Sequence, residues 1–241
     1  MTANAKDIVS AFLPLSSLIF GYLMIFSPTK AAKRVYKFDE KEIKSPVIDL
    51  IVANGAATFS VGVLKSLLTF TNIDSNTAVA IATIPRFVFL IYNIVSKTTL
   101  SKTFFKQHNI FKIVVATSLI EGKWLEPTLS MQVRGCLYLI LGVLFTVFPN
   151  HVAERSTEFN PNPTIARCFR ARGKMDMVFG TLVFNLATKN YFESLGLAMV
   201  AWFLTSIYSD FLAPTSLPVA KSDVFAQLAI SSSSAYVLLS A

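Results

Sequence analysis

The chain has 241 residues, of which 53% are hydrophobic and only 15% charged, with a mean hydropathy of +0.55. A soluble domain carries about a quarter charged residues, so this composition points to a membrane protein and away from a water-soluble enzyme. The net charge of +8 does not indicate a nucleic-acid partner, because the basic residues sit in short segments between apolar runs and form no clustered basic face.

A bilayer core takes roughly twenty predominantly apolar residues per helix. Runs of this kind lie at 8–27, 48–70, 77–96, 109–126, 133–149, 175–189, 192–212 and 222–241. The leader MTANAKDIV has one lysine and no small-residue cleavage site, so the first run reads as a retained helix. The fourth run is the most polar, with Lys112, Glu121 and Lys123, and the sixth is short. Loop charge tests the count. With eight spans, the loops after the first, third, fifth and seventh share one face and hold fifteen lysines and arginines. The other face holds Lys6, Lys123, Arg134 and Lys189. This bias follows the positive-inside rule and puts both termini on the non-cytoplasmic side, or the side away from a matrix or stroma. Without the fourth span the bias would largely cancel.

The stretch LIFGYLMIFSPTK from Leu18 is echoed by LILGVLFTVFPNH from Leu139. At an offset of 121 the pairs Leu18/Leu139, Ile19/Ile140, Gly21/Gly142, Leu23/Leu144 and Pro28/Pro149 are identical. Gly62 then matches Gly180, and Ile91-Tyr92 matches Ile207-Tyr208, at slightly smaller offsets. The expected fold class is all-α: a polytopic membrane protein of about eight transmembrane helices, arranged as two direct four-helix repeats over residues 1–127 and 128–241. An even number of spans per repeat keeps the two copies parallel.

In each copy an apolar helix ends in proline, a loop with aromatic residues follows, and a glycine-containing second helix comes next. In the second copy that helix is opened by ARCFRARGKMDMVFG. This pattern resembles the small four-helix membrane proteins of the DoxX-like and neighbouring groups, here in tandem. The resemblance implies a four-helix bundle per half and transfers no catalytic residue. The first half departs from it by lacking the arginine-rich start of the second helix.

His108 and His151 lie at loop edges without metal-ligand spacing, and Cys136 and Cys168 form no disulfide framework or zinc site. There is no phosphate-cradling glycine loop, nucleophile elbow or HExxH, so no catalytic residue and no metal site is assigned. The ionisable residues inside spans remain. Taking about 1.5 Å per residue, Lys65, Arg86 and Glu121 come to comparable depth on three helices of the first half. Charges there are costly and turn toward partners or a wet cavity, so these three are the candidates for a ligand pocket or an ion pair. Val183, Trp202 and Ala235 stand at the corresponding positions of the second half. The polar connectors KAAKRVYKFDEKEIKSP and ERSTEFNPNPTIARCFRARGK offer Lys30, Lys33, Arg34, Lys37, Arg167, Arg170 and Arg172 to anionic lipid head groups, or serve as solvated connectors that set topology.

Three functions are open to such a chain. The first is a non-catalytic structural or accessory subunit of a membrane assembly, with lipids and other membrane subunits as partners. The second is a carrier or binding protein for a lipid or another small hydrophobic or anionic molecule. A membrane-embedded enzyme ranks last.

Overall fold

The computed structural model describes residues 4–95, 126–156, 162–213 and 221–240. The run at 109–126, with Glu121, lies outside the described residues except for Glu126 at its end. Helix α1 (Ala5–Phe26) ends at Ser27, whose N–H donates to the Leu23 carbonyl at 2.9 Å. Pro28 then opens the short α2 (Pro28–Arg34), because proline fits the first turn of a helix, where its missing N–H has no partner to lose. α3 (Ser45–Phe70) and α4 (Ser75–Val95) follow. In the second half, α5 (Pro127–Val147) stops in the same manner as α1. Phe148 N–H donates to the Leu144 carbonyl at 3.0 Å, and Pro149 opens α6 (Pro149–Ser156). The chain continues as α7 (Pro163–Leu186), α8 (Tyr191–Ile207) with a π-helical turn Tyr208–Leu212, and α9 (Lys221–Leu239). All the described elements are helical.

Among the described residues, four helices are long and apolar enough to cross a membrane: α1, α3, α5, and α8 with its π turn. The structure corrects the sequence reading at α7. The stretch TIARCFRARGK, counted as part of a connector although the repeat pattern opens a helix at ARCFRARGK, is the first half of a 24-residue helix that contains the short apolar run. Its charges are partnered within the protein, Arg172 with Asp176 and Lys174 with Asp210, so the helix continues through them. Asn162 starts it by accepting the Ile165 N–H at 2.8 Å.

α3 packs along α1, α7 packs along α5, and α3 and α7 meet each other. α4 lies on α3, α8 on α7, and α9 on α8. The long pairs approach so closely that glycine is required at the crossing. A Cβ at Gly21 would lie 2.6 Å from the Phe59 backbone nitrogen, and one at Gly142 would lie 2.8 Å from that of Met177. Gly62 faces the Leu18 amide and Gly180 the Leu139 amide, each with 2.8 Å to a hypothetical Cβ. Contacts of α1 with α3 thus recur between α5 and α7, shifted by 121 on the first helix and 118 on the second. Such backbone approach through small residues suits association of helices in lipid, where van der Waals packing drives contact.

Two apolar clusters hold the bundle. One gathers Leu13, Leu64, Val79, Tyr138, Phe179, Leu182 and Leu195. The other lies toward the connectors and gathers Met24, Tyr36, Phe38, Ile51, Phe145, Ile165 and Phe169. By contrast Ile8, Ile19, Tyr22 and Phe26 of α1 are exposed, as a lipid-facing surface requires. Gly21→Ala and Gly142→Ala should each destabilise the protein by about 1–3 kcal/mol, because the added methyl meets backbone. Ile19→Ala on the exposed face should stay within about 0.5 kcal/mol. Unfolding in mild detergent measures both.

Candidate functional site

A buried ion cluster occupies the middle of the bundle. Arg86 on α4 donates through Nη1 to Asp176 Oδ1 at 2.5 Å. Arg172, one helical turn before Asp176 on α7, donates through Nε to the other carboxylate oxygen at 2.9 Å. Arg172 also donates through Nη1 to the Ala53 carbonyl of α3 at 2.6 Å. Arg86 is 2% and Asp176 1% exposed, so both charges are withdrawn from solvent. The Arg86 guanidinium lies 4.6 Å from the centroids of both the Tyr138 and Phe179 rings. Its Nε and Nη2 make no hydrogen bond among the described residues, and these aromatic neighbours supply cation–π attraction in their place. The cluster holds two cations around one carboxylate.

A cavity of about 460 Å³ lies apart from this cluster, between α1, α3, α7, α8 and α9. Its size falls within the roughly 300–1,000 Å³ of small-molecule sites. α3 lines it with Asn54, Thr58, Val61 and Lys65, one helical stripe about 16 Å long at 1.5 Å per residue. At the end nearest the connectors stand Arg34, Lys37, Arg167, Arg170 and Lys174. Further along, Leu13, Val61, Val178 and Trp202 make the walls apolar. Phe12 and Phe20 of α1 and Ile230 of α9 line the cavity and are also exposed, so it opens sideways between these two helices. The shape is a groove with a cationic rim, an apolar body and Lys65 at its far end.

The rim is built by side-chain hydrogen bonds between distant segments. Asn54 Nδ2 donates both to the Tyr36 hydroxyl at 2.8 Å and to the Cys168 carbonyl at 2.9 Å. These bonds fasten the segment after α2 to α3 and α7. Burial pushes the Tyr36 phenol up, which keeps it a neutral hydroxyl. Lys37 adopts φ 56°, a left-handed conformation that few non-glycine residues take. Tyr36 and Phe38 on either side are thereby both buried, with ring centroids 5.3 Å apart, while Lys37 stays exposed. The Arg167 guanidinium lies 5.5 Å from the Phe38 ring centroid. On the opposite wall the π turn presents Asp210, which accepts from Lys174 at 2.7 Å.

The predicted site residues therefore divide. Arg86 enters the ion cluster, Lys65 lines the groove, and Glu121 lies outside the described residues. Of the cations expected to meet anionic lipid, Arg34, Lys37, Arg167 and Arg170 reach the groove rim. Lys30 is exposed, Lys33 pairs with Glu40, and Arg172 turns inward to Asp176. Asp176 is the residue that sequence reasoning missed. Its signal was available, since it is the sole carboxylate of α7 and follows Arg172 by four residues.

Asp176→Asn leaves the buried Arg86 and the part-buried Arg172 without a counter-charge and should cost about 3–5 kcal/mol. Arg86→Met leaves the Arg172–Asp176 pair intact and should cost less. Chemical denaturation of the two variants checks this order, and the reverse order would mean that Asp176 does not serve both arginines. Compared with known proteins, the chain matches no family model, no curated protein and no solved structure, and its functional reading rests on the groove and the ion cluster.

Proposed function

We propose that this chain is a polytopic membrane protein that binds an anionic amphiphile of the lipid class in the groove, as a binding protein or carrier. The observation that carries the reading is the groove itself: a cationic rim formed by Arg34, Lys37, Arg167 and Arg170, followed by an apolar body open on one side between α1 and α9. A molecule with an anionic head and a hydrocarbon chain satisfies both parts. Its head meets guanidinium and ammonium donors, which form the stronger charge-assisted hydrogen bonds. Its chain enters laterally from the acyl region of the bilayer.

The reading includes about eight spans in two direct four-helix repeats, with both termini opposite the basic connectors. The recurrence of the glycine contacts supports the repeat. So does a correspondence between the two sites. At the same offsets, Tyr138, Arg172, Asp176 and Phe179 of the ion cluster fall on Ser17, Asn54, Thr58 and Val61 of the groove, and Arg86 falls on Trp202. Tyr138, Arg172, Asp176 and Phe179 fill the space in the ion cluster, and the smaller Ser17, Asn54, Thr58 and Val61 leave it open in the groove. The DoxX-like resemblance belongs to the same proposal, as the four-helix unit that was doubled.

A structural or accessory subunit is the second reading, favoured by the exposed apolar surface of α1, which could cover a partner as well as face lipid. Extraction in mild detergent followed by mass measurement of the intact particle tests the two together. The groove reading expects one anionic amphiphile per chain, with occupancy reduced about tenfold or more in the Arg167→Ala/Arg170→Ala double variant. A particle free of small molecules that instead contains another protein in fixed ratio would favour the subunit.

A further inference from the structure

We propose that the groove ligand carries an acidic group at each end, and that the inner one is a carboxylate paired with the Lys65 ammonium. This rests on the groove being a ligand site. Lys65 is 1% exposed and lies among Val61 and Leu64, which are as deeply buried. It lines the far end of the groove, and its ammonium has no hydrogen bond or ion pair among the described residues. The carboxylates of α7 and of the π turn are already engaged. Asp176 is held by Arg86 and Arg172, and Asp210 is held by Lys174. The Tyr191 hydroxyl is bonded to Thr69 Oγ1 at 2.9 Å and to the backbone carbonyl of Lys65 at 3.3 Å.

A lysine near a helix end can extend its ammonium to the membrane surface, but at 1% exposure Lys65 does not do so. Nor does packing call for it. The corresponding residue of the second half is Val183, which is fully buried, so an apolar side chain suits this position. A buried cation without a counter-charge is costly, and the groove leads from the rim to that cation. One ammonium neutralises a single negative charge, which matches a carboxylate better than a phosphate monoester. The ligand is then a long-chain molecule whose two acidic ends are separated by an alkyl chain spanning the roughly 16 Å of the α3 stripe.

Calorimetric titration of the detergent-solubilised protein with tetradecanedioate and tetradecanoate tests this. The wild-type protein should bind the diacid at least about tenfold more tightly than the monoacid. In Lys65→Met, which keeps an unbranched side chain of nearly the same length without its charge, the preference should disappear while monoacid binding persists. In Lys65→Arg the preference should remain. Equal affinity of the wild-type protein for the two acids, or a preference that survives in Lys65→Met, would overturn the proposal and leave the groove reading intact. If neither acid binds, the groove reading falls and this one with it. Should Lys65→Met fail to fold, the wild-type ratio alone decides.

Discussion

One carboxylate shared by two arginines, out of reach of solvent, is the constraint around which this bundle is arranged. A guanidinium withdrawn from water destabilises the fold unless an acid meets it with good geometry. Asp176 meets two. Through Arg86 it ties α4 to α7, and through the Arg172 bond to Ala53 it ties α7 to α3. Tyr138 brings α5 to the same point by lying against the Arg86 guanidinium. Four helices are thereby set in register by one polar cluster, while the glycine crossings set how closely the long pairs approach. Apolar contact is non-directional and would tolerate many rotations of these helices. The ion cluster admits few.

That arrangement also accounts for the open space. Where Arg86, Tyr138 and Phe179 fill the interior between α4, α5 and α7, the related positions between α1, α3 and α8 carry Trp202, Ser17 and Val61. In the proposed duplication, Arg86 of the first copy and Tyr138, Arg172 and Asp176 of the second close one polar site with protein side chains, and the related site is left to a ligand. The cations of the rim and Lys65 then do for a bound anion what Arg86 and Arg172 do for Asp176. The same electrostatic requirement serves as a structural fastening in the ion cluster and, in the proposed function, as recognition in the groove.

Much of the helical scaffold was legible in the sequence. The apolar runs at 8–27, 48–70 and 192–212 correspond to α1, α3 and α8 with its π turn, because length and hydropathy suffice to identify a membrane-crossing helix. The ends at Pro28 and Pro149 follow from the missing amide of proline. The candidate site was less legible. Depth along a helix can be counted from its ends, and on that basis Lys65 and Arg86 stood together. Which side of a helix faces which neighbour depends on tertiary packing, and this separates the two residues. Asp176 was overlooked because its partners lie on α4 and in the charged first half of its own helix, a stretch that resembles a connector until its charges are paired. The groove rim was half legible: Arg34, Lys37, Arg167 and Arg170 stood out as basic residues, but the Asn54 side chain that gathers them bonds to Cys168, 114 residues away.

The central claim is that the space beside Thr58 and Val61 holds a ligand chain. A photoreactive side chain placed at Thr58 and activated in native membranes tests it most directly. The mass of the intact chain should then rise by that of an anionic amphiphile, whereas the same probe at Ile51, buried in the apolar packing of α3, should give only internal cross-links. An unchanged mass with the probe at Thr58, or the same adduct from both positions, would contradict it.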